Sequence, residues 1–431
     1  MASSNTLVDQ EIPTSSEQDD SGAGIVWRIA WRNLWRNRRR TWLTAGGIAF
    51  ACLLVCAGMA LQGGSYASMV SAGTGFFHGQ IQVNHPQFIE EKKLEHTLEQ
   101  ASTRVTQIQQ VPGVTVAPRI EVFALASVGE RSFGGMILGV DFAAELEVAS
   151  ILRQLDEGVL PAQHGEEVVL GRALARNLGA KLGDDLIILG TAKQGGIAAL
   201  ALQIVGVFDS GQAELDRTLV FAPLAAVQEA FATPDEVHTL ALGVGDIEQV
   251  ERIRAQVEQV LVADANGPVS VRSWPAVMPE IVQAIELDRV SAQLMYGAIL
   301  ILVTFSVINT FLMVVFERTR EFGMLMALGM RPVQIMVQVQ LEAMFVWLLG
   351  VGIGLGIALV LIGYLAAVGI PMAGMEEVVA QFYMPDRIYP AFTVQSLTAA
   401  PLFLLIGTQF AALLATLRLR KIRPVEALRS E

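Results

Sequence analysis

Apolar residues concentrate in four long runs, and the spacing of these runs is the main feature of the sequence. The first run covers residues 41–64, and the other three lie at 291–316, 333–369 and 394–417. Each run is long enough to cross the ~30 Å hydrocarbon core of a bilayer as a helix that rises ~1.5 Å per residue. The pattern predicts four transmembrane helices, one followed by three, with a large globular segment at 65–290 between them.

The segment 65–290 has the short alternating periods of a mixed α/β domain, in which strand-like and helical patterns follow one another. We predict strands at 78–84, 114–128, 131–140 and 239–244, a helix at 90–110, strand–helix–strand from 167 to 190, strand into helix at 220–231, and a further helix and strand at 246–262 and 269–272. This order predicts two mixed α/β lobes with a boundary near residues 141–165.

The residues before the first run divide into a polar tail and an amphipathic helix. Residues 1–24 are rich in polar side chains and almost free of apolar ones, which predicts a disordered tail. Residues 25–40 repeat tryptophan and arginine every four positions, which keeps each series on one helical face. The series are Trp27, Trp31 and Trp35, and Arg28, Arg32 and Arg36. Indoles at headgroup depth and guanidiniums near lipid phosphates predict an in-plane membrane anchor, with docking of a cytoplasmic partner as the alternative.

Charge indicates which side of the membrane each segment faces. Arginine and lysine cluster before residue 41, between 317 and 332, and in the tail 418–431. Positive residues stay on the cytoplasmic side, so we expect both termini there. Segment 65–290 holds 15 Lys and Arg against 29 Asp and Glu, so we expect it outside, with the short loop 370–393. The net charge of −12 argues against nucleic acid as a partner.

The sequence lacks the patterns that bind nucleotides or perform catalysis. No lysine lies in a G-x-x-x-x-G-K-[ST] loop, and the H-E-x-x-H and G-x-S-x-G motifs are absent. The histidines are scattered without the spacing of metal ligands, and Cys52 and Cys56 lie inside the first run as small packing residues. We therefore expect no catalytic residue, no metal site and no cofactor in this chain, and the same absence disfavours a membrane enzyme with an outer active site.

The connection between the second and third runs, residues 317–332, has a pattern of its own. It begins with charged side chains that mark the exit from the membrane, namely Glu317, Arg318, Arg320 and Glu321. An apolar stripe follows, with glycines that allow bends, and these residues are Phe322, Leu325, Met326 and Leu328, with Gly323 and Gly329. An exposed apolar stripe on a cytoplasmic segment fits a groove on a partner protein. We predict that this segment is a docking element.

A few residues in the apolar runs are unusual for lipid-facing positions. We expect Asn309, Gly350 and Gly354 to pack between helices, because small and polar side chains support helix–helix contacts in lipid. Contact with a substrate is the alternative for the polar residues of the second run. We expect Glu342 to be a hydrated structural residue near the cytoplasmic interface rather than a functional intramembrane acid.

Several of these motifs together resemble those of one family. They are NLWRNRRRT (33–41), VVLGRALARNLGAKLGDDLIILG (168–190), FSVINTFLMVVF followed by ERTREFGMLMALGMRPVQI (305–335), and the ending LRKIRPVEALRSE (419–431). They resemble the FtsX-like permeases of ABC transporters of the MacB and LolC/LolE type.

The resemblance implies a permease subunit of a type VII mechanotransmission ABC transporter in the bacterial inner membrane, with a MacB-like periplasmic core domain. ATP and Mg²⁺ would bind to a separate ATPase subunit, present in two copies, that docks on residues 317–331. A second permease copy or a related permease would complete the membrane part within the membrane lipid. The outer partner would be a periplasmic adaptor, carrier or lipoprotein, and the substrate a lipoprotein, lipid or other amphiphile. An FtsX-like signalling subunit, which passes ATP hydrolysis on to an outer hydrolase or sensor, is the alternative.

Overall fold

The structure is a computed structural model that describes residues 27–162, 165–262, 267–371 and 387–417. The predicted tails 1–24 and 418–431 and most of the predicted loop 370–393 lie outside the described residues. The helices are α1 (27–36), α2 (Arg38–Gly73), α3 (Phe88–Glu91), α4 (Ala101–Ile108), α5 (Phe142–Val148), α6 (Arg172–Leu178), α7 (Ala213–Thr218), α8 (Leu224–Ala230), α9 (Val250–Val262), α10 (Trp274–Val277), α11 (Pro279–Glu317), α12 (Thr319–Ala327), α13 (Pro332–Val368) and α14 (Val394–Leu417).

The strands are β1 (Ile81–Asn84), β2 (Val114–Val128), β3 (Arg131–Val140), β4 (Leu155–Gly158), β5 (Glu167–Gly171), β6 (Asp185–Thr191), β7 (Ile197–Phe208), β8 (Leu219–Pro223), β9 (Thr239–Val244), β10 (Ser270–Ser273), β11 (Ile370–Pro371) and β12 (Arg387–Ile388). A π-helical turn, Thr74–His78, follows α2, and single 3₁₀ turns lie at Ile151–Arg153 and Ile247–Gln249. The chain divides into two compact units. The membrane unit comprises 1–65, 288–370 and 389–431, and the strand unit comprises 66–287 and 371–388.

Four helices in the described part of the chain are long and apolar enough to cross a membrane, and they contain the four predicted runs. They are α2 with the π-turn that follows it, α11, α13 and α14. Helices α2 and α11 extend beyond the runs at 41–64 and 291–316, because a change to polar residues does not by itself end a helix. Helix α13 has 37 residues, about 55 Å at ~1.5 Å per residue, so it is far longer than the hydrocarbon core is thick.

Helices α2 and α13 approach each other through glycine. A Cβ atom added to Gly354 would lie 2.4 Å from the carbonyl oxygen of Ala49, and one added to Gly350 would lie 2.8 Å from that of Ala45. Both distances are too short for a real side chain, so the glycine pair is what permits this backbone contact. Asn309, in contrast, is exposed on α11. The expectation that it packs between helices stays a prediction.

The strand unit is built around one ten-stranded sheet, part of which closes on itself. Strands β2, β3, β8, β5, β7 and β6 each pair with the next, and β6 pairs back to β2. This ring of six strands encloses apolar side chains such as Ile120, Ile137 and Leu186. Strands β9, β1 and β10 extend the sheet from β2, and helices α4 and α9 contribute Ile108 and Val257 to the core beside them. The predicted mixed α/β architecture is confirmed.

The predicted lobe boundary at 141–165 is wrong. Strand β3, which precedes these residues, and strand β5, which follows them, belong to the same closed ring. The core beside β9, β1 and β10 contains residues that precede the ring strands in sequence and residues that follow them. The first half of β2, Val114 to Arg119, belongs to this part of the sheet because it pairs with β9. The lobe outside the ring is therefore discontinuous in sequence, which a linear boundary cannot describe.

The predicted helix at 90–110 is also only partly correct, since the structure has the short helix α3, a non-helical stretch, and then α4. Lys92 and Gln100 have positive φ angles of 49° and 55°, and between them Leu98 forms an isolated bridge with Val237. The left-handed residues interrupt the helix. The bridge between Leu98 and Val237 fixes the position of this non-helical stretch.

Candidate coupling site

Helix α12 is a short helix between two membrane spans, and its end is defined by glycine. Gly329 has a φ angle of +98°, which favours glycine, and the N–H of Met330 donates to the carbonyl of Leu325 at 3.0 Å. This is the Schellman arrangement that commonly ends a helix. Helix α13 then begins with Pro332, and the side chain of Gln334 accepts a hydrogen bond from the N–H of Arg331 at 2.9 Å. The predicted docking segment thus contains a helix that ends at a glycine, shortly before the start of α13.

The apolar residues of α12 divide between two faces. Phe322 and Gly323 are buried, and Met326 is half-buried against the core of the membrane unit. Leu328 is 82% exposed and Met324 is 53% exposed. Sequence reasoning missed Met324, although its spacing of four from Leu328 is the signal that places the two on one helical face. Arg320 and Glu317 are also exposed.

Arg318 turns inward and binds Glu342. Its Nη1 donates to the two carboxylate oxygens at 2.9 and 3.1 Å, and the side chains are only 8% and 9% exposed. The expectation that Glu342 is hydrated is therefore wrong. Removing a charge from water is costly unless a partner replaces the solvent, and Arg318 is that partner. The sequence hid this pairing because the two residues lie on different helices.

Further polar groups converge on the same carboxylate. Asn33 of α1 donates to Glu342 at 2.8 Å, and Gln338, one turn earlier in α13, donates at 3.3 Å. A cavity of about 30 Å³ beside Asn33 and Glu342 is also lined by Thr44 and Thr310. It has the size and the polar lining for one water molecule. Glu342 is thus a hub that joins α1, α13 and the residue that precedes α12.

A second set of ion pairs connects this hub to the surface. Glu321 of α12 accepts hydrogen bonds from Arg318 at 3.0 Å and from Arg36 at 2.9 Å. Burial raises the pKa of Glu321, but the hydrogen bonds from Arg36 and then Arg318 outweigh it, so the pKa is lowered overall. Glu317 pairs with Arg40 of α2 at 2.9 Å. Arg36, predicted to be a lipid anchor, is therefore also a link between α1 and α12.

The three tryptophans of α1 lie along one side of that helix, as their spacing predicts. Trp27 and Trp31 contact the ring of Phe345 in α13 edge to face, at centroid distances of 4.7 and 5.3 Å, and Trp31 contacts Trp35 at 6.1 Å. All three remain partly exposed, and so do Arg28 and Arg32. This leaves indole and guanidinium surface free for lipid, and the anchoring role stays a prediction.

The arrangement connects exposed α12 to buried residues of the membrane unit through ion pairs. In the described ranges, no group of three or more His, Cys, Asp or Glu side chains could hold a metal ion. What the geometry does provide is a chain of charged hydrogen bonds that runs from exposed α12 through Glu321 and Arg318 to buried Glu342. A displacement of α12 would strain α1 and α13 together, because Arg36 of α1 pairs with Glu321 of α12 and Glu342 of α13 pairs with Arg318 directly before it.

Two family descriptions match the chain. Residues 41–260 match the MacB-like periplasmic core domain, and residues 294–424 match the FtsX-like permease C-terminal domain. The lipoprotein-releasing system transmembrane protein LolC of Xylella fastidiosa (strain Temecula1) is 25% identical over 227 residues, which cover 51% of this chain and 54% of that protein. The LolC protein of Neisseria meningitidis serogroup B is 23% identical over 284 residues, which cover 64% of this chain and 67% of that protein.

The chain therefore spans between half and two thirds of the length of these relatives. Among solved structures, the periplasmic region of MacB from Actinobacillus actinomycetemcomitans aligns with a TM-score of 0.36 and 14% identity, over 49% of this chain and 95% of that one. So distant a structural likeness adds nothing to the family matches. The core-domain match alone covers half of the chain, and the permease match covers the segment that contains α12. The resemblance read from the motifs is confirmed, and the chain belongs to the FtsX-like permease family with a MacB-like periplasmic core domain.

Proposed function

We propose that this chain is the membrane subunit of an ABC transporter, driven by a separate ATPase subunit that docks on α12. The observation that carries the proposal is the two-sided character of this helix. One side presents Met324 and Leu328 to solvent, and the other is connected by ion pairs to two further helices of the membrane unit, α1 and α13. Such a helix can receive a partner and pass on its movement.

The exposed side supports a protein partner. Leu328 and Met324 lie at the end of the membrane unit where arginine is abundant, so the positive-inside rule places them in the cytoplasm. Apolar side chains that face water in this way fit the helix-in-groove mode of recognition. Two copies of the ATPase, each holding ATP and Mg²⁺, would supply the energy, and this chain would contribute no catalytic group.

The family supports an amphiphile as the substrate. The LolC relatives carry the name of a lipoprotein-releasing system, so a lipoprotein, or a lipid of similar character, is the substrate we propose. The acidic strand unit would lie on the periplasmic side of the inner membrane. There it would meet the substrate and an adaptor or carrier, while both termini stay in the cytoplasm.

Docking is tested by charge reversal of the surface that α12 exposes. We expect Met324→Glu together with Leu328→Glu to abolish co-purification of the ATPase, because a buried carboxylate without a partner is costly at an interface. Leu182→Glu, at an exposed apolar residue of the strand unit, is the matched control and should leave the complex intact. Co-purification of the ATPase with the α12 variant at the level of the unaltered chain would refute the docking proposal.

A further inference from the structure

A groove with apolar walls runs along one side of α13, and α1 forms its second wall at one end. The section next to α1 has a volume of about 280 Å³. Both helices line it, with Trp31, Leu34 and Trp35 from α1 and Phe345, Leu349 and Gly352 from α13. A second section of about 700 Å³ continues along α13 as far as Tyr364. The two sections share Gly352 and Ile353, so they form one groove.

The groove has the length of the hydrocarbon core of a bilayer. Phe345 and Tyr364 are about 28 Å apart along the helix at ~1.5 Å per residue, and the core is ~30 Å thick. Trp31 and Trp35 lie at one end and Tyr364 at the other, and tryptophan and tyrosine are enriched at the two membrane boundaries. The section next to α1 therefore lies in the cytoplasmic half of the bilayer, because α1 is rich in arginine.

The helices next to this section carry more positive charge than the protein itself neutralises. Six arginines lie in α1 and in the first turn of α2, and no acidic residue lies between residues 25 and 65. Two of the six, Arg36 and Arg40, pair with Glu321 and Glu317. The other four are exposed and make no ion pair within the part of the chain that the structure describes, and they are Arg28, Arg32, Arg38 and Arg39. Basic clusters beside a membrane span attract anionic lipid headgroups.

We propose that the groove and these arginines together form a binding site for one anionic phospholipid of the cytoplasmic leaflet. The phosphate would accept hydrogen bonds from Arg28 and Arg32, and guanidinium groups suit phosphate oxygens in charge and geometry. One acyl chain would lie between α1 and α13. Half of the hydrocarbon core is about 15 Å, or roughly ten helical residues, so a chain that starts beside Phe345 passes Gly352. A Cβ atom at Gly352 would meet no other atom within 4 Å, so the glycine leaves this part of the groove open.

Other occupants fit these observations less well. A neighbouring protein helix would cover the apolar walls but would give the arginines no anion. A zwitterionic phospholipid would fill the groove, but its ammonium group would be repelled by the arginines. The amphiphile that we propose as substrate is handled on the periplasmic side, whereas this section of the groove opens toward the cytoplasmic boundary. The inference rests on the proposed function only in that α1 lies on the cytoplasmic side.

A lipid at this site would also act on the candidate coupling site. Asn33 and Arg36 of α1 bond to Glu342 and Glu321, so α1 holds one end of two bonds of the hub. A phospholipid bound between α1 and α13 would fix the position of α1 against α13, and with it the geometry of these two bonds.

Quenching of tryptophan fluorescence by brominated acyl chains tests the site with the full chain. Trp31 and Trp35 line the groove, so a brominated chain seated there quenches them. The chain is reconstituted in phosphatidylcholine vesicles that contain a rising fraction of either brominated phosphatidylglycerol or brominated phosphatidylcholine. The first lipid is anionic and the second zwitterionic, so the difference between the two curves measures recognition of the headgroup.

Two variants, each with a matched control, separate the headgroup from the acyl chain. Arg28→Gln with Arg32→Gln removes the phosphate contacts, and Arg217→Gln with Arg252→Gln removes two exposed arginines of the strand unit as its control. Gly352→Leu fills the groove. Gly363→Leu on the same helix is its control, because a Cβ atom at either glycine meets open space.

We expect half-maximal quenching at an about tenfold lower fraction of brominated phosphatidylglycerol than of brominated phosphatidylcholine, because each arginine near a lipid phosphate contributes roughly fivefold. Arg28→Gln with Arg32→Gln should abolish this preference, and Gly352→Leu should weaken quenching by the anionic lipid several-fold. Both controls should behave like the unaltered chain.

Equal curves for the two lipids in the unaltered chain would overturn the proposal, and so would a preference that survives loss of both arginines. Quenching unchanged by Gly352→Leu would show that the acyl chain does not lie in the groove. Absence of quenching by either lipid would show that another part of a protein covers it. None of these readouts needs the ATPase, so they stand or fall separately from the α12 docking test.

Discussion

Among the described residues, each unit contains one buried arginine–glutamate pair, and the two pairs differ in what surrounds them. In the strand unit, Arg119 donates to Glu145 at 2.7 and 2.9 Å, and both side chains are almost completely buried. The guanidinium lies over the ring of Phe77, 4.9 Å from its centroid. In the membrane unit, Arg318 and Glu342 form a similar pair, but each of them also bonds to further side chains, and one branch reaches the exposed helix α12.

The two pairs therefore differ in how they are connected to the rest of their unit. In the strand unit, the side chains of Arg119 and Glu145 hydrogen-bond to each other and Phe77 covers the guanidinium, so we expect a change there to alter stability. Arg318 of the pair in the membrane unit also bonds to Glu321 of α12, so we expect a force on α12 to reach the spans through this pair. We therefore expect matched substitutions in the two pairs to have opposite profiles, with loss of stability in the first case and loss of coupling in the second.

The largest effect is expected from Glu145→Gln. Arg119 would remain buried without a charged partner, and breaking one side of a buried pair costs about 3–5 kcal/mol of folding free energy. Amide hydrogen exchange in β2 and α5 of the full chain measures this loss. Replacing both partners, Arg119→Met with Glu145→Leu, should restore most of the stability. If the single substitution leaves exchange unchanged, the pair does not stabilise the strand unit.

Substitutions in the Arg318–Glu342 pair should change the rate of ATP hydrolysis by the assembled transporter. We expect Glu342→Gln to reduce ATP hydrolysis by the assembled transporter about tenfold, as a coupling free energy of 1–3 kcal/mol implies. The ATPase should still co-purify, because Met324 and Leu328 are untouched. A fall in co-purification parallel to the fall in hydrolysis would instead mark Glu342 as a residue needed for folding.

Packing between α2 and α13 offers a test that leaves both ion pairs in place. Gly354→Ala places a methyl group against the backbone of Ala49, and overpacking of this kind costs about 1–3 kcal/mol. Gly363→Ala, on the same helix, meets open space and should be neutral or slightly stabilising. Thermal unfolding in detergent compares the two variants. Equal melting temperatures would contradict the close approach of α2 and α13.

The smallest effect concerns pH and should be confined to the strand unit. Burial lowers the pKa of His238 to about 4, against an ordinary value of 6.5, so the folded chain keeps this residue neutral. Between these values the unfolded chain binds the extra proton, so stability falls as the pH is lowered. From pH 7 to 5.5 the expected loss is about 1 kcal/mol. His238→Gln should flatten this part of the pH profile measured by hydrogen exchange, and an unaltered slope would show that another group titrates there.

The features predicted from sequence are those that depend on neighbours along the chain. The four apolar runs, the tryptophan face of α1 and the docking segment 317–332 all follow from local periodicity. The closed strand ring does not, because β2 and β6 pair across a separation of about sixty residues and no local pattern fixes their register. The partner of Glu342 was missed for the same reason. A lone carboxylate near a span gives no sign of which arginine will turn toward it.

The central claim is that force enters at α12 and reaches the strand unit through the Arg318–Glu342 pair. Hydrogen exchange of the strand unit in the assembled transporter, with and without a non-hydrolysable ATP analogue, tests this claim most directly. We expect the nucleotide to change exchange in the strand unit of the unaltered chain and to leave it unchanged in Glu342→Gln, although both bind the ATPase. Identical nucleotide responses in the two proteins would contradict the account.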